Sequence, residues 1–95
     1  MSYSISSILT PYDRTGAMSW LRRQFSWPGF DGPNFSDDTR ANRRAIAEWL
    51  RRKCIAMRAA GIAGAHHYSL PLHTELLHIL RAERAALQIG GRHRA

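Results

Sequence analysis

Lysine and cysteine are almost absent: the ninety-five residues hold one of each, Lys53 and Cys54. A single thiol cannot close an intramolecular disulfide, which excludes a disulfide-stapled fold. No stretch approaches the roughly 18 apolar residues that cross a bilayer, so no membrane role is expected. The serine-rich start, Met1 to Thr10, lacks the basic segment, apolar run and cleavage site of a secretory leader. The cytoplasm is the expected compartment. Acidic residues are scarce as well, 7 against 14 basic ones, for a formal charge of +7 with histidines neutral. That imbalance favours an anionic partner. Also missing are a glycine-rich phosphate loop, a nucleophile elbow and paired carboxylates in a recognisable setting, so no enzymatic activity and no cofactor are expected.

The remaining composition is that of a folded protein. Apolar residues make up 44% and charged residues 22%, which excludes disorder throughout, and the length predicts one domain with a modest core. Thirteen of the basic residues are arginine. Alanine is abundant too, as GC-rich coding produces, so the placement of the arginines carries more than their number. Arginine's planar fork can hold phosphate or carboxylate through two parallel hydrogen bonds.

The pattern along the chain predicts an all-α fold: a long antiparallel helical hairpin braced by a short N-terminal helix and an aromatic Gly/Pro loop. Residues 1–15, with Tyr3, Ile5, Ile8 and Leu9 interrupted by Pro11, read as an arm. Residues 16–35 read as a short helix over Gly16 to Phe25, then the loop SWPGFDGPNF, whose prolines and glycines break any helix. Trp27, Phe30 and Phe35 in that loop either cap a small core or offer rings for base stacking.

Residues 36–89 read as the hairpin. Ser36, Asp37, Asp38 and Thr39 supply capping oxygens for a helix over Asp37 to Ala60, stopped by Gly61. A connector of about nine residues follows, with Ser69 as cap and Pro71 in the first turn of a helix over Leu70 to Ile89, stopped by Gly90 and Gly91. Residues 90–95 read as a frayed tail.

At about 100° per residue, Ile46, Trp49, Leu50, Cys54 and Met57 gather on one side of the first long helix, and Arg40, Arg44, Arg51 and Arg58 fall nearly opposite, with Ala47 completing their spacing. Arg43 and Arg52 lie at the edges of that row, and Glu48 stands four residues from both Arg44 and Arg52. In the second long helix Leu72, Leu76, Ile79, Leu80, Ala86 and Leu87 form the apolar side; His73, Thr74, Arg81, Arg84 and Gln88 lie across from it. Lys53 and Glu83 each violate the apolar pattern. Antiparallel packing predicts that they either pair across the interface or mark a docking surface.

Candidate metal ligands are His66, His67, His73, His78 and Cys54, but their spacing is poor and no metal site is expected; Glu75 and His78 supply only two ligands. The helix-turn-helix pattern fails because the connector is too long and the second helix is dominated by leucine. The expected function is a non-catalytic basic binding protein that docks an arginine-rich helix face on nucleic acid or a nucleoprotein complex. The contact residues are Arg40, Arg43, Arg44, Arg51, Arg52 and Arg58, with Trp27 and Phe30 as stacking additions. The opposing expectation is an accessory subunit, adaptor or inhibitor whose arginines meet an acidic surface of a larger protein. A homodimer through exposed leucines of the second helix would also complete a small core.

Overall fold

The computed structural model describes residues 12–92, with side chains to 88. The expected arm as far as Pro11, and the end of the tail from residue 93, lie outside the described residues. The described chain is all-helical, with α1 Arg14–Gln24, α2 Arg40–Ile62 and α3 Leu70–Arg92. Two compact units divide at the Phe30–Asp31 junction.

The first unit is built on α1, which starts two residues before the expected Gly16. Asp13 explains the earlier start: its carboxylate accepts from the Gly16 amide at 3.0 Å and caps the helix. Arg22 and Arg23 fill the last turn, where cations suit the helix dipole. Met18, Leu21 and Phe25 are buried. Beyond the helix, Phe25, Trp27 and Phe30 form a three-ring cluster, with Trp27 edge-on to Phe30 at 5.3 Å.

In the second unit, which begins at Asp31, Phe35 is buried and edge-on against Trp49 at 5.4 Å. The Asn42 amide donates to the carbonyls of Asn34 and Asp37 at 2.6 and 2.8 Å, tying this loop to α2. Helix α2 starts at Arg40, not Asp37, because the Asp37 carboxylate accepts from the Thr39 amide and folds the acidic pair into a turn. Thr39 then caps the helix through Asn42 N–H at 3.2 Å.

Gly61 does not stop α2. The left-handed residue is Gly64, φ +72°, three positions on. Ala65 N–H donates to Ala60 C=O and Gly64 N–H to Gly61 C=O, the paired bonds of a Schellman ending. Gly61 serves another purpose: a Cβ there would sit 3.1 Å from the Tyr68 ring, so its missing side chain lets the connector fold back on the helix. Ser69 does cap α3, accepting from Leu72 N–H at 3.3 Å. Gly90 and Gly91 do not end α3, whose backbone runs on to Arg92. Glycine permits a left-handed stop without compelling one.

Helices α2 and α3 pack as an antiparallel hairpin. Ile46, Leu50 and Cys54 from α2 and Leu76, Ile79 and Leu80 from α3 are buried, as their periodicity predicts. Trp49, Met57, Leu72, Ala86 and Leu87 are only half-buried. Glu83 is fully buried, and its carboxylate carries a cross-helix ion pair with Arg43 at 3.5 Å. Arg43, a partner the pattern did not indicate, lies ten residues before Lys53 along α2, about 15 Å at the helical rise.

Candidate functional site

The six arginines of the expected site, Arg40, Arg43, Arg44, Arg51, Arg52 and Arg58, all project from one unbroken 23-residue helix. From Arg40 to Arg58 the row spans about 27 Å. Arg40, Arg44, Arg51, Arg52 and Arg58 are exposed; Arg43 is half-buried and held by Glu83. The 3.5 Å separation makes that contact an ion pair without a well-formed hydrogen bond from Arg43 Nε. Arg43 therefore belongs to the packing between the helices.

The row is not opposite the core. Ala47, which continues the Arg40 and Arg44 line, is only 8% exposed, and Cys54, the next turn along the same line after Arg51, is 5% exposed. Burial on α2 centres on Leu50 and extends to Ala47 and Cys54, whereas Trp49 and Met57, counted as core in the pattern, sit at its other margin. The arginines escape burial because their long stems carry the guanidinium past these small neighbours. The row thus runs along one border of the α2–α3 interface.

Acids reach this border at one place among the described residues. Glu48 accepts from Arg51 Nε at 3.1 Å and Arg51 NH2 at 2.7 Å, and lies 3.8 Å from Arg52 Nε. The hydrogen bond from Arg51 is the main reason the Glu48 carboxyl titrates below its ordinary range, with the Arg51 and Arg52 charges adding to it. The same bond raises Arg51. Among the described residues, Arg40, Arg44 and Arg58 have no carboxylate within ion-pair distance.

Two further exposed basic residues, Arg81 and Arg84, stand on α3, on the side that the sequence pattern sets across from its apolar stripe. Burial pushes the Cys54 thiol up, and the Arg81 charge partly opposes that effect.

Trp27 and Phe30 belong to the first unit. Trp27 is 51% exposed and Phe30 half-buried, so the pair shows one accessible ring. Among the histidines, His73 Nδ1 is bonded to the Tyr68 hydroxyl at 2.8 Å, while His66 and His67 are exposed. Among the described residues no group of three His, Cys, Asp or Glu side chains could hold a metal ion, and no helix is long and apolar enough to cross a membrane. No protein-family model matches the chain, and neither a curated protein nor a solved structure matches it.

Proposed function

We propose that this chain is a non-catalytic basic binding protein that docks the arginine row of α2 on a polyanionic surface, nucleic acid or a nucleoprotein complex. The observation carrying the reading is the set of five exposed arginines, Arg40, Arg44, Arg51, Arg52 and Arg58, along one continuous helix with Glu48 as its only acid. Guanidinium groups at this spacing track a phosphate backbone without reading bases, because every phosphate neutralised releases counterions whatever the sequence.

The test is fluorescence anisotropy with a labelled duplex and the matching single strand at low and high salt. Affinity should fall steeply as salt rises, and Arg44→Glu with Arg51→Glu should abolish binding while far-UV circular dichroism stays unchanged. Absence of binding by the folded wild-type protein at low salt overturns the proposal.

A second reading, an accessory protein docking an acidic surface of a larger protein, draws on one specific observation. Ile55, Ile62 and Leu70 are 56%, 78% and 63% exposed towards the connector end of the hairpin, with Arg58 between the two isoleucines in sequence. Apolar anchors beside arginine suit a protein interface. A stoichiometric co-purifying partner that is lost on Ile62→Ser would favour it.

A further inference from the structure

On the solvent side of the α2–α3 border, three of the arginines belong to a second line. Arg44, Glu48, Arg51, Ile55, Arg58 and Ile62 follow i, i+4, i+7, i+11, i+14 and i+18 along α2, and all six are exposed. Alternating steps of four and three are the spacing of a heptad seam, the stripe that one helix presents to another. This seam repeats its chemistry. Arg51 and Ile55 recur seven residues on as Arg58 and Ile62, about 10.5 Å further along the axis. The preceding heptad pairs Arg44 with Glu48 in the isoleucine position. Burial on α2 centres on Leu50, and both isoleucines lie outside it, more than half exposed. Packing of the hairpin therefore leaves two aliphatic side chains in water on the face that carries the cations.

From this arrangement we infer that the seam docks an amphipathic helix of another protein, one whose apolar residues repeat every seven positions with carboxylates between them. The inference rests on the second reading, an acidic surface of a larger protein, and adds the form of that surface. Spacing selects a helix. A helix laid along α2 repeats at the same interval, so its apolar residues reach both isoleucines together. A strand brings side chains to one face about every 6.6 Å and falls out of step. Charge selects acid. The seam holds three arginines against one glutamate, and that glutamate is already bonded to Arg51 at 2.7 Å. Among the described residues Arg58, which stands between the isoleucines, has no carboxylate within ion-pair distance. A partner carboxylate there would be flanked by aliphatic groups that exclude water and strengthen the pair. Charge also disfavours a second copy. Two parallel seams set arginine on arginine, and two antiparallel seams set isoleucine on arginine. Phosphate, for its part, satisfies the arginines and gains nothing from the isoleucines.

The experiment follows labelled synthetic peptides of three heptads by fluorescence anisotropy as the full chain is added. One peptide carries leucine and glutamate at the two seam positions, a second has the same composition in scrambled order, and a third has lysine in place of glutamate. The first should bind and the other two should not. Ile55→Ser with Ile62→Ser should weaken binding by at least about tenfold. Arg51→Gln with Arg58→Gln should weaken it and flatten its dependence on salt. All four positions are exposed, so far-UV circular dichroism should show both variants folded. Equal binding of the scrambled peptide refutes the helix while an acidic partner stands. Binding of the lysine peptide refutes the charge argument. A concentration-dependent dimer in sedimentation that the serine pair abolishes makes a second copy the occupant and refutes the partner. If duplex nucleic acid binds and no peptide does, the helix and the second reading fall together and the polyanion reading stands.

Discussion

The Arg43–Glu83 pair is a charged contact across the hairpin interface, and a double-mutant cycle can isolate it. Arg43→Met keeps most of the side-chain bulk without the charge; Glu83→Gln keeps the shape of the carboxylate without its charge. At 3.5 Å the charges attract by about 5 kcal/mol at an effective dielectric of about 20. Two features reduce this value. Glu83 is wholly withdrawn from water, so its desolvation offsets much of the attraction, and the Arg43 side chain keeps 29% exposure, which lets water screen it. The expected coupling is about 1–2 kcal/mol. Urea denaturation followed at 222 nm on the four proteins supplies it, provided the m-values agree. The cycle removes from the result any other contact either side chain makes. A coupling below about 0.5 kcal/mol, the range seen for independent sites, would show that the two groups do not hold the helices in register.

Three further outcomes are expected. Gly64→Ala should destabilise the protein by about 1–2 kcal/mol because an L side chain is strained at φ +72°, with Gly64→Asn losing less; a neutral alanine variant would contradict the Schellman ending. Burial raises the Cys54 thiol, so a disulfide reagent at about pH 8 should label it at least about tenfold more slowly in the native state than in urea. The linked stability is full below the ordinary thiol range and declines as pH rises through it, since the unfolded chain loses its proton first; labelling at full speed in the native state would refute this. Glu48→Gln should release Arg51 and Arg52 from their acid and tighten duplex binding by about threefold at low salt, and unchanged affinity would show that the pair does not compete with phosphate.

Periodicity made the hairpin legible, since Ile46, Leu50, Cys54, Leu76, Ile79 and Leu80 repeat at helical spacing and are buried. Ser69 was legible as a cap for the same local reason. The ends were harder because competing candidates stood side by side. Asp37 could cap a helix or close a turn, and the Thr39 amide drew it into the turn. Gly61 and Gly64 both suited a helix stop, and the ring of Tyr68, a tertiary neighbour, separates their uses. Glu83 was recognisable as an anomaly in an apolar stripe, but its partner depended on a register that shifts by about 1.5 Å per residue. The exposed arginines followed from the wheel, whereas their position relative to α3 did not.

That last displacement changes what the row does. Had the arginines stood opposite the core, a ligand would meet one helix and leave the hairpin untouched. Along the border, with Ala47 and Cys54 packed between them, the guanidinium groups stand where α2 and α3 meet. A polyanion docked on this border would lie beside the same interface that Arg43 and Glu83 close from within. Binding and helix packing would then be linked, because a ligand that touches both helices has affinity only for the closed hairpin and stabilises it by mass action. The pair of Glu48 with Arg51 fits this placement: it orients the middle of the row and lowers repulsion between neighbouring cations. A phosphate docked there would offer Arg51 the same two acceptor positions that Glu48 occupies, and so would replace an intramolecular partner with one of like geometry.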